Sequence, residues 1–194
     1  MTKKQISLLR PIEDVLSFWD VLTPDERNFI QNTYTLHKYK KNEVIQCEGD
    51  EPTHLMILAE GKVKVYKNGF GNRAQIVRML KPGEHFGYRA IIANEVNSTT
   101  VTAFEDSTIY LISGDIFLSI LRHNNAFCYR FLEELSFDLA ESDARTVNLT
   151  QKHIRGRLAE SLLFLKDNYG LEEDGATISI YLSREDLANH SNMT

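Results

Sequence analysis

The spacing of apolar residues divides the chain into stretches of different period. Ile12, Val15, Leu16, Trp19 and Leu22 recur at steps of three and four, which predicts an opening helix. Thr23-Pro24-Asp25-Glu26 follows, with a capping hydroxyl, proline at the first helical position and glutamate at the third. This is the signature of a second short helix, running to about Asn32. From Tyr34 to about Ile112 the period shortens towards two. Val44–Cys47, Leu55–Leu58, Ile76–Leu80, Val101–Phe104 and Thr108–Ile112 are short runs of strand character, and Lys62–Tyr66 alternates polar and apolar as a half-buried strand must. Asn68-Gly69-Phe70-Gly71-Asn72 is turn chemistry between two of them. Many short strands at close spacing predict a barrel or jelly roll.

A helical period returns in the last third. Cys128, Leu132, Leu135, Leu139, Ser142, Thr146 and Leu149 stand at alternating steps of four and three, the seam of a coiled coil. Its later positions are small or polar, so the pairing is tight first and loose later. Phe127 and Phe131 lie on a second face that can pack on the β domain, which leaves the seam to pair with a twin. Gln151-Lys152-His153 is read as a hinge. Ile154, Leu158, Leu162 and Leu165 mark another amphipathic helix, ended by Gly170. Thr177–Leu182 alternates as a strand. Ser183-Arg184-Glu185-Asp186 caps a last helix through His190, Asn192 suits a left-handed turn, and Thr194 stands where a further helix would be capped.

Composition narrows the classes. The 194 residues are 42% hydrophobic and 25% charged, ordinary for a globular protein. No stretch of 18 apolar residues exists to span a membrane, and no signal peptide is visible. The net charge of -5 argues against a chain that coats nucleic acid nonspecifically, though not against a small basic reading element on an acidic body. Two cysteines, Cys47 and Cys128, cannot form a disulfide framework or a four-cysteine iron–sulfur site, and they fit a reducing cytoplasm. His37, His54, His85, His123, His153 and His190 are scattered without metal-ligand spacing, so each reads first as a surface or capping residue. Haem, which needs one axial ligand, stays open.

One segment carries candidate chemistry. Lys81-Pro82-Gly83-Glu84-His85-Phe86-Gly87 leads into Tyr88-Arg89-Ala90-Ile91-Ile92-Ala93. A strand, a glycine and one helical turn present free backbone N–H groups, an anion cradle. The alternative is that Gly87 only allows a sharp corner, and the residues alone leave both open.

The order of segments resembles the Crp/Fnr family of bacterial transcription regulators. The resemblance rests on Lys81–Gly87, on Gly87-Tyr88-Arg89-Ala90, on Ile154-Arg155-Gly156-Arg157-Leu158-Ala159-Glu160 and on Leu182-Ser183-Arg184-Glu185-Asp186-Leu187-Ala188. It implies a mixed α and β fold: a cyclic-nucleotide-binding-like β-roll over residues 12–122, a dimerisation helix over 123–150, and a winged helix-turn-helix over 151–194. Ser183, Arg184 and Thr194 would then lie at the DNA-binding motif, with the recognition helix expected beyond Thr194. The 194 residues as they stand are therefore expected to dimerise but to bind DNA weakly and without base readout.

The resemblance also implies a ligand test. Family members that bind cyclic AMP hold its ribose with a glutamate just after the cradle glycine and its phosphate with an Arg-Ser pair. Those positions here are Tyr88 and Asn97-Ser98. Neither tyrosine nor asparagine replaces a carboxylate or a guanidinium, so tight cyclic AMP binding is not expected. Arg89, with Ser98, Thr99 and Thr100 nearby, could serve a different anion. The expected function is a homodimeric regulator relaying an unidentified effector or redox signal to DNA. The competing expectations are a sensing module of a protein that does not bind DNA, and a cupin-type enzyme, for which the sequence lacks the His-x-His set.

Overall fold

The structure is a computed structural model, and it describes residues 9–193. Thr194 and the basic start of the chain lie outside the described residues. The N-terminal segment is α1 (Ile12–Val15), a single 3-10 turn (Trp19–Val21) and α2 (Pro24–Thr33). The expected continuous first helix is broken after Val15 because Leu16, Phe18 and Leu22 are all buried, and a straight helix could not lay all three on one flat sheet. The second helix starts as its sequence predicts. The Thr23 hydroxyl accepts from the Glu26 amide at 3.3 Å, and the Glu26 carboxylate accepts from the Thr23 amide at 2.8 Å.

Eight strands follow: β1 (Thr35–Tyr39), β2 (Val44–Gln46), β3 (His54–Glu60), β4 (Val63–Asn68), β5 (Ala74–Leu80), β6 (His85–Phe86), β7 (Thr100–Ala103) and β8 (Ser107–Ser113). They form two antiparallel four-stranded sheets, ordered β1-β8-β3-β6 and β2-β7-β4-β5. Between β6 and β7 lies α3 (Tyr88–Ala93). After β8 come α4 (Gly114–His123), α5 (Asn125–Gln151), α6 (Ile154–Tyr169) and α7 (Arg184–Ser191). Among the described residues, no helix is long and apolar enough to cross a membrane.

The apolar residues sort into three layers. Met56, Leu58, Val63, Val65, Leu80, Phe86, Val101, Ile109 and Leu111 fill the space between the sheets. Their neighbours in β3 and β8, Leu55, Ile57, Tyr110 and Ile112, face outward and meet Ile12, Phe18, Phe117, Phe127 and Phe131 from the helices. Because β3 is covered on both faces, Leu55–Leu58 is an unbroken apolar run rather than an alternating one. A third cluster lies on the outer face of the other sheet, where Ile76, Met79 and Phe104 meet Leu165 and Ile180. The β4–β5 pairing slips between Val65 and Tyr66, so β5 bulges and presents both Ile76 and Met79 to this cluster.

The segment after α5 is therefore folded back on the second sheet. Lys64 pairs with Asp186 at 2.6 Å, and the Gln75 amide donates to the Asn189 carbonyl at 2.6 Å. At the expected hinge the helix is broken: α5 ends at Gln151 and α6 begins at Ile154. Ser183 caps α7 by accepting from the Asp186 amide, and Asn192 is left-handed at φ 53°. Among the described residues, the expected strand Thr177–Leu182 has no paired neighbour beyond a single bridge between Leu171 and Ile178. Its alternation instead puts Ile180 into the third cluster and leaves Tyr181 exposed.

Phe131 is the hinge-pin of the aromatic layer, in ring contact with Phe18, His85, Tyr88, Phe117 and Phe127. Phe131→Ala is expected to lower the unfolding free energy by about 3–5 kcal/mol. Urea denaturation should show this as a lower midpoint with little change in slope. A loss under about 1 kcal/mol would show that α5 is not anchored there.

Candidate functional site

The cradle predicted at Gly87 is a tight corner between β6 and α3. Gly87 has φ 85°, and a Cβ there would lie 2.7 Å from the His54 carbonyl oxygen, so no other residue fits. The corner turns Tyr88 and Ala90 inward and leaves Arg89 exposed. Opposite them, the segment before β7 brings up Asn97, Ser98 and Thr99. All seven predicted residues, Gly87 to Ala90 and Asn97 to Thr99, line one cavity with Gln46, Val65 and Arg78. Its volume is about 60 Å³, well below the roughly 300–1,000 Å³ of small-molecule sites.

What the sequence did not reveal is where Tyr88 points. Its ring is 2% exposed, and its hydroxyl donates to Asp138 Oδ2 on α5 at 2.7 Å. Arg78 of β5 donates from Nη1 to the same oxygen at 3.0 Å and to the Tyr88 hydroxyl at 3.3 Å. Burial and the bond to Asp138 raise the Tyr88 pKa, so the phenol stays protonated and acts as the donor. Burial works against the Arg78 charge, and Tyr88 and Asp138 beside it more than restore it. Arg89 Nη2 lies 3.6 Å from Asp138 on the exposed side. The predicted anion ligand Arg89 is thus a peripheral member of a cluster in which Arg78 is central.

Asn97 is different. It is 4% exposed, its backbone bonds Asp50 and Gly49, and its side-chain Oδ1 has no partner among the described residues. Ser98 is exposed, while the Thr99 carbonyl accepts weakly from Gln46 at 3.5 Å.

A second pair sits beside the first. His85 is 4% exposed, in edge-on and tilted ring contact with Phe18, Tyr88 and Phe131, and its Nε2 lies 3.4 Å from Glu134 of α5. Burial, with Arg78 adding to it, drives the His85 pKa down to about 4. Burial, then the charge of Asp138, pushes Glu134 up to about 7. At neutral pH the contact therefore joins a neutral imidazole to a carboxyl near its own midpoint, rather than two full charges. Among the described residues no group of histidine, cysteine and acidic side chains is placed to hold a metal ion. Cys47 is exposed, Cys128 half-buried, and both are free thiols.

The predicted seam on α5 divides in two. Leu132, Leu139, Ser142 and Thr146 are exposed, whereas Cys128, Leu135 and Leu149 are half-buried against their own chain. The exposed apolar surface continues through Tyr129 and Phe137, 66% and 76% exposed. Ser183 and Arg184 are exposed at the start of α7, beside the Lys64–Asp186 contact.

Comparison with known proteins agrees with this architecture. Residues 36–124 match the family model of the cyclic nucleotide-binding domain. The cyclic AMP receptor protein of Thermus thermophilus is 25% identical over 144 residues, covering 74% of this chain and 67% of that protein. A cGMP-dependent protein kinase of Toxoplasma gondii is 34% identical over 106 residues, 55% of this chain, and the chain spans 10% of the kinase. A solved structure from Eubacterium rectale, assigned to the Crp/Fnr family of transcriptional regulators, superposes with a TM-score of 0.78 at 18% identity, over 92% of this chain and 81% of that one. The fold and the matched region define a protein built on a cyclic nucleotide-binding domain. The fold is shared with solved structures of the Crp/Fnr type.

The two perturbed groups give opposite pH effects. His85 is neutral when folded and takes up a proton when unfolded, so stability is lost as pH falls from about 6.5 to about 4. Glu134 holds its proton more tightly when folded, so its contribution is lost as pH rises from about 4.5 to about 7. Glu134→Gln removes the second slope. Thermal or urea unfolding of this variant is expected to show a steeper loss of stability on acidification than the parent; an unchanged profile would rule the reading out.

Proposed function

We propose that the chain is a homodimeric DNA-binding transcriptional regulator whose β-roll senses an effector other than a cyclic nucleotide and signals through α5. One observation carries the reading. At the position where the family resemblance expects a ribose-binding carboxylate, Tyr88 commits its hydroxyl to Asp138 on the helix that would pair two copies. A group that would read a ligand has become a strut between sensor and dimer helix. The residues present do not fit a cyclic nucleotide. The cavity is too small, Arg78 is committed to Asp138, and Asn97 offers no charge for a phosphate. The ligand-sensing module of a larger protein is the second reading, favoured by the kinase match, which is confined to 106 residues. It leaves the helices beyond Gln151 without a role.

In this scheme the exposed stripe Tyr129, Leu132 and Leu139 meets its twin, and α6 and α7 carry the DNA-binding surface that includes Ser183 and Arg184. Their contacts with the second sheet hold that surface in one orientation. A change at the cradle that loosens Tyr88 from Asp138 shifts α5 and frees them.

Three measurements test this. Calorimetry with cyclic AMP and cyclic GMP is expected to show no submicromolar binding. Leu132→Glu with Leu139→Glu should convert a dimer to a monomer in analytical ultracentrifugation while leaving the circular dichroism of the β-roll intact. These 194 residues should bind random duplex DNA weakly and lose it as salt rises; in a form of the protein that carries the expected recognition helix, selection should enrich palindromes with half-sites about one helical turn apart, and the double variant should abolish the enrichment. A monomeric parent, or no sequence enrichment in that longer form, favours the module reading instead.

A further inference from the structure

Glu134 and Asp138 stand one turn apart on α5 and face the same wall of the β-roll, but they are served unequally. Asp138 takes the Arg78 guanidinium at 3.0 Å and the Tyr88 hydroxyl at 2.7 Å, with Arg89 3.6 Å away. Among the described residues, no lysine or arginine pairs with Glu134; its close polar neighbour is His85 of β6, whose Nε2 lies 3.4 Å from Oε1. We propose that this contact is operated by a proton: a protonated Glu134 ties α5 to the β-roll through His85, and loss of that proton pushes the two apart.

The geometry gives each side one role. His85 is fixed in place, because its backbone pairs with Ile57 in the sheet and its ring touches Phe18, Tyr88 and Phe131. Buried beside Arg78, the imidazole stays neutral. The Glu134 side chain is 40% exposed, so its proton exchanges with water while α5 stays docked. Protonated, the carboxyl donates to the imidazole and carries no charge. Ionised, it becomes a second carboxylate four residues from Asp138, and like charges at that spacing on a helix repel. The imidazole can still donate to it by exchanging tautomers, but that leaves the charge half-buried and without a counter-charge. Charge, rather than the hydrogen bond, is therefore what moves the helix.

The surrounding groups do not cancel that charge. On α5, Arg130 and Glu141 are exposed. Arg78 of β5 is committed to Asp138 and Tyr88. Glu84, before β6, accepts from the Lys81 amide at 3.0 Å and adds another carboxylate. On α3, the Tyr88 phenol is a donor to Asp138, and Arg89 lies on the exposed side. Burial, then the Asp138 charge, accordingly raises the Glu134 pKa to about 7, with Glu84 adding to them and Arg78 and Arg130 opposing. Glu134 sits between the apolar anchor at Phe131 and the Tyr88–Asp138 bond, so repulsion here acts on the part of α5 that hydrogen bonds hold. The contact tightens as pH falls through about 7 and loosens as it rises. That this movement reaches a DNA-binding surface rests on the function proposed above; the contact itself does not, and its test reads the contact alone.

The test is two-dimensional NMR of the whole chain from about pH 5 to about pH 8 at constant ionic strength, with the Glu134 carboxyl carbon followed directly. Its midpoint is expected at about 7. The amide shifts of Tyr88 and of α5 from Phe131 to Ser142 should follow the same midpoint, because the helix moves. Glu134→Gln presents an uncharged donor at every pH. It should keep the parent's acid-form shifts across the range, and the difference between the two proteins separates this step from other titrating groups. Asp138→Asn removes the neighbouring charge and should lower the Glu134 midpoint by about one pH unit or more. A parent midpoint near 4.5, shifts confined to residues 133–135, or an α5 transition that persists in Glu134→Gln would overturn the proposal. Should Glu134→Gln fail to fold, an unmoved midpoint in Asp138→Asn overturns it equally.

Discussion

A helix packed along a sandwich of sheets has a limited circumference, and α5 must divide it between its own chain and solvent. The inner line is spaced by sevens. Asn124 donates to the Val21 carbonyl and to Glu26, Phe131 enters the aromatic layer, Asp138 receives Tyr88 and Arg78, and Arg145 donates to the carbonyls of Ile76 and Val77. A spacing of seven returns to nearly the same face of a helix, so each of these contacts requires the others to be in register. The outer line, Leu132, Leu139 and Thr146, is the inner line displaced by one residue and is exposed along its length. Any force that rotates α5 against the β-roll must act on both lines at once.

The inner contacts change character along the helix. At Phe131 the attachment is apolar and deeply buried. At Asp138 it is a partly buried charge-assisted pair, worth about 1.5–3 kcal/mol per hydrogen bond if both partners stay desolvated. At Arg145 it is a guanidinium spread over three backbone carbonyls, and it is here that β5, α5 and α7 meet. Apolar burial is non-directional and survives small shifts, whereas hydrogen bonds to fixed carbonyls do not. The N-terminal half of α5 is therefore the rigid anchor, and the half beyond Asp138 depends on geometry that a change at Tyr88 can disturb.

Much of this was legible in the residues. The capping box at Thr23, the glycine corner at Gly87, the helix break after Gln151 and the Ser183 cap were all readable, because each depends on local chemistry at fixed offsets. β1 and α4 were not singled out. β1 is exposed along most of its length, so it leaves no apolar period to detect. Of the expected seam on α5, Leu132, Leu139, Ser142 and Thr146 are exposed, while Cys128 and Leu135 are half-buried towards the chain itself. The neglected signal was Phe131, Asp138 and Arg145, also spaced by seven, whose mixed chemistry hides a common face from any search for apolar residues. The alternation at Thr177–Leu182 failed as a strand because no sheet edge stands beside it; Ile180 had a hydrophobic cluster to join instead.

The docking of the last two helices bears on how a signal could travel. Lys64–Asp186 is partly buried, with side chains 19% and 16% exposed, and Asp186 also accepts the Ser183 hydroxyl that caps α7. The carboxylate thus serves two ends: it fixes the start of a helix and fastens that helix to β4. Freeing α7 from the sheet would expose Lys64 and the outer faces of Ile76 and Phe104, a cost set by both desolvated charge and apolar area. An effector that favours the released state must supply the difference, and moving an equilibrium from 1:99 to 99:1 takes about 5.5 kcal/mol of differential affinity. One site of about 60 Å³ offers few atoms with which to supply it. A switch built on the cradle alone is therefore economical only if the docked and released states already lie close in free energy. The unbonded nitrogens of His190 and Nε of Arg157 in the docked form work in that direction, since they raise the energy of the state they occupy.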